Sequence, residues 1–409
     1  MFKQLIVLFL LANLSLAQNK EGEPFIIGKK YTMTSKVLNE ERTYWVNLPT
    51  SYNDPNFSPQ KYPVMYVLDG KSVFFPLVGV VNFMSGRESV NFQIPEMIVV
   101  GIDTENRIHD LTPNPTTKGI DGTEPTTEAG KLMFKGSGGG ELFLEFLTKE
   151  LFPSIETNYR TVPYRVYVGH SLGGLTSTYT LLHHAGIFDS YLAIDPSLWW
   201  DASKYPNEAH KVLQNYETKK IQRYYVTVID SMYAPGQSYH LNAIHKMSNQ
   251  LAKYAPENLQ WKLQVIPKTD HSSIPLLSWY EGLQFIFEGY DMNHYSLMQN
   301  PDLIEKQFDE LAKKIGLRMS PPETIFEILA HYLTAPNRFP DAQKSLKVIN
   351  MGLKYHPESS NLHDKLGAAY LLNKNIPKAI ESYQKALKLN PANEIAKKRI
   401  EDLTKQTKN

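Results

Sequence analysis

The chain has 409 residues, with 43 basic and 42 acidic side chains and no cysteine. This length allows two or three domains with a sizeable core, and the net charge of +1 gives no electrostatic footprint for nucleic acid or an anionic membrane. Without cysteine, disulfides, thiolate metal sites and a cysteine nucleophile are excluded, so covalent catalysis would have to use serine, threonine, lysine or a carboxylate.

The N-terminus has the pattern of a secretory signal peptide over residues 1–17. Lys3 supplies a positive start, residues 5–12 are all apolar, and small residues precede a cleavage site near Ala17. The apolar run is shorter than the ~20 residues that a membrane-spanning helix needs. We therefore expect an exported protein without a membrane span, periplasmic or secreted, that begins near Gln18. A retained N-terminal helix is the alternative.

Alternating and continuous apolar patterns then predict a mainly parallel sheet. Residues 31–49 alternate polar and apolar, which is typical of an antiparallel edge with one wet face. Continuous apolar runs, which belong in a sheet covered on both faces, follow at 64–68, 97–102, 166–168, 191–194, 225–229 and 263–266. Helical patterns lie between or after them at 142–155, 175–184, 241–254 and 276–287. This alternation predicts an α/β fold over residues 18–290 with helices on both faces.

One connection is unusually long. Residues 103–140 are rich in Thr, Pro and Gly and follow the carboxyl end of a predicted parallel strand. Loops of this length are usually walls or lids of a functional site, or else disordered. Because open sheets bind ligands at that edge, we favour a wall.

Helical periodicity continues to the end of the chain. Residues 291–320 read as a helical connector, and residues 321–409 as a helical-repeat region. Gly352 and Ala386 are 34 residues apart, the period of tetratricopeptide repeats. We expect one clear repeat and one degenerate repeat. Because about three repeats are normally needed to bury their apolar faces, the pair should lean on the α/β domain, on a second copy or on a partner.

The motif that indicates chemistry is Gly-x-Ser-x-Gly, here Gly169-His170-Ser171-Leu172-Gly173. It follows a buried strand and opens a helix, the setting in which a serine sits on a sharp turn with its hydroxyl exposed. The helix N-terminus offers backbone N–H groups to a developing oxyanion. We predict that Ser171 is a nucleophile.

A serine nucleophile needs a base, and the base needs orienting. His271 lies between the last predicted strand and the helix after it, which suits the order Ser, acid, His of α/β-hydrolases. Asp230, at the end of strand 225–229, ranks first as the acid. Asp195, at the end of strand 191–194, ranks second, and a Ser–His dyad third. Of the other histidines, His240 reads as a helix-face residue.

These segments resemble the esterase D-like branch of the α/β-hydrolases, which includes siderophore esterases, feruloyl and acetyl esterases of carbohydrates, and mycolyltransferases. The resemblance runs from about Glu41 to Tyr290. The segments that carry it are Glu41-Arg42, Tyr62-Pro63, Leu68-Asp69-Gly70, Arg107, Asp110 to Pro113, Phe143 to Leu147, Tyr159-Arg160, Gly169 to Gly174, Asp195 to Trp200 and His271 to Ser273. Bacterial members also carry appended helical repeats.

The resemblance implies that Ser171 is the nucleophile and His271 the base. It implies an oxyanion hole formed by the backbone N–H groups of Leu172 and Lys71. The chain departs from the family at Asp195, where members usually carry serine, and the acid after the strand ending at Ile229 varies among members.

Three further residues are candidates for contact with substrate. Arg107 would clamp a carboxylate or phenolate with its planar fork, or else form an ion pair with Asp110. Trp199 and Trp200 would wall an acyl or aromatic pocket, although adjacent residues face different ways and one of the two should be plain core.

The sequence thus predicts an exported serine hydrolase that cleaves carboxylic esters through an acyl-enzyme, with no cofactor or metal. A ferric-siderophore ester and a carbohydrate acyl ester are the candidate substrates, as small-molecule or glycan-linked esters. A protein partner or self-association is expected at the repeats. The alternative function is a non-catalytic binding protein or scaffold that keeps the hydrolase fold.

Overall fold

The computed structural model describes residues 22–86, 91–233 and 236–406. The signal peptide expected over residues 1–17 lies outside the described residues. Eight strands form one sheet. They are β1 (Lys29–Ser35), β2 (Glu40–Asn47), β3 (Tyr62–Val67), β4 (Ile98–Ile102), β5 (Thr161–His170), β6 (Ser190–Ile194), β7 (Gln222–Ile229) and β8 (Leu259–Ile266).

The sheet has the order β1-β2-β4-β3-β5-β6-β7-β8. β1 pairs antiparallel with β2, and β2 antiparallel with β4, while all the other neighbours are parallel. Every residue of β3, β4, β6 and β7 is buried, as expected for parallel strands covered on both faces. Each predicted apolar run overlaps one of the strands β3 to β8, and the alternating segment overlaps β1 and β2.

Helices cover both faces of the sheet. Those of the α/β region are α1 (Gly70–Ser85), α2 (Arg107–Asp110), α3 (Glu128–Met133), α4 (Gly140–Phe146), α5 (Phe152–Asn158), α6 (Leu172–His183), α7 (Trp200–Gln214), α8 (Ser238–Tyr254) and α9 (Pro275–Ile286). A π-helical turn over Leu147–Leu151 joins α4 to α5. One apolar core lies between the sheet and α4 to α8, and a second lies between the sheet and α1 and α9.

Two of the longer helices, α1 and α7, were not predicted from the sequence, and each has a local reason. α1 contains Pro76 and Gly79, which both lower helix propensity. α7 contains Pro206, and its residues 201–203 have left-handed φ values between 50° and 60°. The loop over 103–140 is folded, since it carries α2 and α3 and packs Phe134 against both Trp199 and Trp200.

The C-terminal part is entirely helical. Its helices are α10 (His294–Gln299), α11 (Leu303–Ile315), α12 (Glu323–Thr334), α13 (Ala342–Tyr355), α14 (Ser360–Leu372), α15 (Ile376–Leu389) and α16 (Glu394–Gln406). The predicted α/β fold followed by a helical region is therefore confirmed. No helix in the three described ranges is both long and apolar enough to cross a membrane.

The helical region leans on the α/β domain rather than standing apart. The apolar core beneath α1 and α9 continues through residues of α11 to α14, among them Phe308 and Phe326. Polar contacts join the β2–β3 loop to the repeats, because Ser58 N–H donates to Glu323 Oε2 (2.8 Å) and Asn361 N–H donates to Asn56 O (3.2 Å). One core thus crosses the expected boundaries near residues 290 and 320, and those domain bounds stay a prediction.

Candidate active site

Ser171 stands on a strained turn between β5 and α6. Its φ of 61° lies in the left-handed region, which is rare for a residue with a side chain. The turn is held by Ser171 N–H, which donates to Ile194 O (2.9 Å). A Cβ on Gly169 would lie 2.2 Å from Gly173 O, and one on Gly174 would lie 2.8 Å from the side chain of Pro196. The two glycines are therefore what allows the chain to turn so tightly.

A cleft of about 360 Å³ opens at the carboxyl ends of the central strands. It is lined by Ser171 and His271, together with Asp69, Arg107, His170 and Trp279 among others. Ser171 Oγ lies 3.2 Å from Ser197 Oγ. Within the described residues, no hydrogen bond joins Ser171 to His271. Hydrogen bonds between catalytic groups are often long or poorly aligned in free enzymes and shorten only when substrate binds.

His271 is oriented by Asp195. Its Nδ1 lies 2.6 Å from Asp195 Oδ2, so the Nε2 edge of the ring is left for other partners. The Asp195 side chain is fully buried, while the His271 side chain is 36% exposed at the cleft. Burial opposes ionisation of the carboxyl, but contacts with His240 and His271 outweigh it, so the pKa of Asp195 lies well below its usual value. An ionised carboxylate beside imidazole Nδ1 is the arrangement that stabilises an imidazolium.

Asp230, the first choice from the sequence, is not at this position. Its Oδ1 accepts from Met232 N–H (3.1 Å) and its Oδ2 from Lys268 N–H (3.3 Å). The carboxylate thus caps its own turn and ties it to the loop before His271. The geometry favours Asp195 over Asp230 as the carboxylate that orients His271.

His240 is a neighbour that the sequence reading missed. It lies in the first turn of α8, is 4% exposed, and places Nε2 2.9 Å from Asp195 Oδ1. Its location just after β7, at the catalytic edge of the sheet, was the available signal. Ligand atoms of Asp195, His240 and His271 all lie within 4.8 Å of one another, close enough to hold a metal ion. His271 is hydrogen-bonded to the carboxylate at 2.6 Å and His240 lies in close contact with it at 2.9 Å, so we interpret the group as two histidines that share one carboxylate.

His170 packs against the ring of His271. Its ring centroid lies 4.5 Å from that of His271. Burial, and then the nearby His271, lower the pKa of His170 to about 4. His170 is therefore neutral at pH 7.

The predicted oxyanion donors sit in the first turns of two helices. Leu172 is the first residue of α6, and Lys71 is the second residue of α1, so their N–H groups have no acceptor within their own helices. The turn before Lys71 is held by Asp69, at φ 58°, which accepts from Thr104 Oγ1 (2.6 Å). A Cβ on Gly70 would lie 2.7 Å from the backbone of Gly101, so this turn also depends on glycine.

Arg107 lines the cleft with much of its fork already engaged. Its Nε donates to Asp69 Oδ1 (2.9 Å) and its Nη2 to His170 O (2.9 Å). The alternative ion pair with Asp110 is wrong, because Arg42 holds that buried carboxylate with two hydrogen bonds of 2.6 and 2.9 Å. In the geometry observed, Arg107 joins the turn at Asp69 to the turn that carries Ser171.

The two tryptophans anchor the long loop. Trp200 is buried and its Nε1 donates to Asn114 O (3.2 Å), while Trp199 is half-buried. Both rings meet Phe134, at centroid distances of 6.4 Å for Trp199 and 5.5 Å for Trp200. The expectation that one of the pair is plain core is confirmed for Trp200, and neither ring is among the described residues that line the cleft.

Known proteins share this fold and the segments around the site. The chain is 33% identical over 172 residues to the ferri-bacillibactin esterase BesA of Bacillus subtilis, a match that covers 40% of this chain and 56% of that protein. It is 26% identical over 207 residues to the siderophore triacetylfusarinine C esterase of Aspergillus fumigatus, covering 50% of this chain and 61% of that protein. The matched segment thus spans a little over half the length of these relatives.

A solved structure extends the similarity. An IroE-like serine hydrolase from Shewanella oneidensis superposes with a TM-score of 0.69 at 28% identity, covering 80% of this chain and 99% of that one. The tetratricopeptide repeat family matches residues 365–393, and the family described as "Putative esterase" matches residues 35–240. Because that second match spans half of the sequence, the chain belongs to this esterase family.

Proposed function

We propose that this chain is an exported serine hydrolase that cleaves carboxylic esters, with a ferric-siderophore ester as its substrate. One observation carries the catalytic part of the proposal. Ser171, strained on a glycine-lined turn, shares a cleft with His271, whose Nδ1 is held by the buried carboxylate of Asp195. This is the set of groups that acyl transfer through serine requires.

In the first half of the reaction, Ser171 Oγ attacks the ester carbonyl carbon while His271 Nε2 accepts its proton. Asp195 stabilises the imidazolium that forms. The carbonyl oxygen becomes an oxyanion that accepts from the N–H groups of Leu172 and Lys71. As the tetrahedral intermediate collapses, the ester C–O bond breaks, and the imidazolium returns its proton to the leaving alcohol.

Water completes the cycle. His271 takes a proton from a water molecule, whose oxygen attacks the acyl-enzyme. Collapse of the second intermediate releases the carboxylic acid and restores the hydroxyl of Ser171. The two half-reactions use the same base and the same oxyanion donors, so neither a metal nor a cofactor takes part in the proposal.

The choice of substrate is supported by the relatives. Two of them are named as esterases of ferri-bacillibactin and of triacetylfusarinine C. A panel of a ferric catecholate trilactone, a ferric hydroxamate ester, a feruloylated sugar, an acetylated sugar and p-nitrophenyl butyrate tests this choice. We expect the highest kcat/KM for a ferric siderophore. A preference for either sugar ester would overturn the substrate but keep the esterase, and no turnover of any ester would favour the scaffold alternative.

Replacing the nucleophile tests the chemistry. Ser171→Ala should lower kcat by at least about 10³-fold, because it removes the group that forms the acyl-enzyme. Ser296→Ala, at an exposed serine on α10, is the matched control and should behave as wild type. Wild-type turnover by the Ser171 variant would reject the mechanism.

Export and the role of the repeats are tested separately. The export part of the proposal rests on the sequence of residues 1–17, and N-terminal sequencing of protein from the producing cell should give a chain that begins near Gln18. That the repeats bind a partner or a second copy stays a prediction. Light scattering of the purified chain tests the second copy, because a dimer would indicate self-association, whereas a monomer would exclude it and leave the partner as a prediction.

A further inference from the structure

The buried carboxylate of Asp195 is shared by two imidazoles. His271 contacts Oδ2 at 2.6 Å, and His240 contacts Oδ1 at 2.9 Å from the opposite side. The rings of His240 and His271 are perpendicular, with centroids 5.7 Å apart. We propose that His240 is a positioning residue for ester hydrolysis, which fixes the Asp195 carboxylate and limits how strongly it supports the protonated form of His271. This inference rests on the proposed function.

The position of His240 leaves it few other roles. It is 4% exposed, so it does not serve the surface of α8, and it does not line the cleft. Its Nε2 is shielded from solvent and lies within hydrogen-bond length of the carboxylate, but its N–H direction is not aligned with the oxygen. The contact is therefore a close approach of a ring nitrogen to the carboxylate rather than an aligned hydrogen bond.

Both oxygens of Asp195 are thereby restrained. Ile229 N–H also donates to Oδ1 (3.2 Å), and the backbone N–H of Asp195 donates to Thr227 O (2.9 Å). A buried carboxylate needs donors on both oxygens to stay ionised. Because a partner on Oδ1 fixes the rotation of the carboxylate about its last bond, Oδ2 stays in line with the ring of His271.

A shared carboxylate is also a weaker partner for each imidazole. Among the described residues, the titratable and charged groups that face this pair, or lie on the loops beside it, are His170, His240, Arg107, Asp69, Asp230, Lys268 and Asp270. Among these groups, His240 is the one whose ring nitrogen reaches Asp195 Oδ1. Without His240, the negative charge of Asp195 would act on His271 alone. His271 should then stay protonated to higher pH.

The test compares three variants by kcat, KM and the pH profile of kcat/KM on the preferred ester. His240→Leu should lower kcat about 10- to 100-fold with little change in KM, because it removes one polar partner of a buried charged group. It should also move the acid limb of kcat/KM to higher pH. His240→Gln, which keeps an N–H donor, should recover most of both effects. His245→Leu, on the exposed face of the same helix, should change neither.

Several outcomes would overturn the inference. One is a wild-type kcat and acid limb in His240→Leu. Another is a loss of kcat with an unmoved limb that His240→Gln does not recover, since that is the result expected from packing alone. Labelling of Ser171 by a fluorophosphonate and the melting temperature verify that each variant is folded. If the wild-type protein turns over no ester, both the proposed function and this inference fail. If the wild type is active, Ser171→Ala is inactive and the His240 variants are unaffected, only the inference fails.

Discussion

The backbone of Asp195 directs its side chain toward the base. Its φ of 41° is left-handed, and the next residue is a proline, so the chain turns sharply as it leaves β6. β6 is the immediate neighbour of β5, which leads into Ser171. A carboxylate at this corner is one strand away from the nucleophile and reaches His271 across the end of β7.

Replacing the two candidate carboxylates side by side separates their roles. Asp195→Asn should lower kcat by at least about 10²-fold, toward the ~10⁴-fold seen when a serine protease loses its orienting aspartate. Asp230→Asn should stay within about threefold of wild type, because among the described residues its carboxylate accepts from backbone N–H groups of its own turn and a neighbouring loop. Steady-state kinetics on p-nitrophenyl butyrate measure both. A larger loss for Asp230→Asn would restore the ranking first made from the sequence.

The sequence pattern could locate the catalytic groups but not pair them. Ser171 and His271 have unambiguous positions, one inside a glycine motif and one after the last strand. Asp195 and Asp230 both end buried parallel strands, so spacing cannot separate them. The features that distinguish them are the left-handed φ of Asp195 and its hydrogen bond to His271, and neither can be inferred from the order of the residues. His240 was missed for a related reason, since a histidine in a helix can be placed on a face but not given a neighbour.

Among the elements, the strands were predictable, whereas α1 and α7 and the short helices α2 and α3 were not. A strand stretch buried on both faces is mostly apolar, so the buried parts of β3 to β7 stand out as short apolar runs. α1 is stabilised by packing that places Leu77, Val78 and Val81 in the core, which outweighs Pro76 and Gly79. Tertiary contacts of this kind have no local signal in the sequence.

The turn between β5 and α6 should be intolerant of even one methyl group. Gly169→Ala would bring a Cβ to 2.2 Å from Gly173 O, and neither backbone can yield without moving Ser171. We expect loss of activity by at least about 10²-fold or a failure to fold, as for other strained turns. Gly79→Ala is the matched control, because no atom lies within 4 Å of the new Cβ and the position is exposed in a helix.

That control has its own expected sign. Alanine in a helix interior is more stable than glycine by about 0.5–1 kcal/mol. Gly79→Ala should therefore raise the melting temperature slightly and leave kcat unchanged, as measured by thermal denaturation and ester hydrolysis. Full activity and stability in Gly169→Ala would show that the turn is looser than its geometry indicates.

The molecule as a whole is joined through a buried acid. Glu323 is 1% exposed and accepts from Ser58 N–H (2.8 Å) in the α/β domain and from Ser359 Oγ (2.6 Å) in the repeats. Burial raises the pKa of Glu323 from 4.5 to about 8, although these two hydrogen bonds oppose the shift. The junction of the two parts is therefore most stable with this glutamate protonated.

The stability of the junction should fall as the solution becomes alkaline. A carboxyl whose pKa is raised on folding stabilises the fold below its unfolded pKa, near 4.5, and loses that contribution as pH rises through about 8. Glu323→Gln should abolish much of this loss, so that between pH 6 and pH 9 its melting temperature falls less than that of wild type, by about 2 °C or more. Glu381→Gln, at an exposed glutamate of α15, should follow wild type. Parallel pH dependence in all three proteins would contradict the assignment.

The contact between Ser58 and Glu323 also fixes the side of the α/β domain, relative to the cleft, on which the helical region packs. Ser58 precedes β3, at the amino-terminal rim of the parallel strands, whereas Ser171 follows β5 at the opposite rim. The helical region therefore contacts the rim of the sheet opposite to the one that carries Ser171. A partner bound by those helices would therefore lie on the side of the molecule opposite the cleft and would leave the opening beside Ser171 accessible.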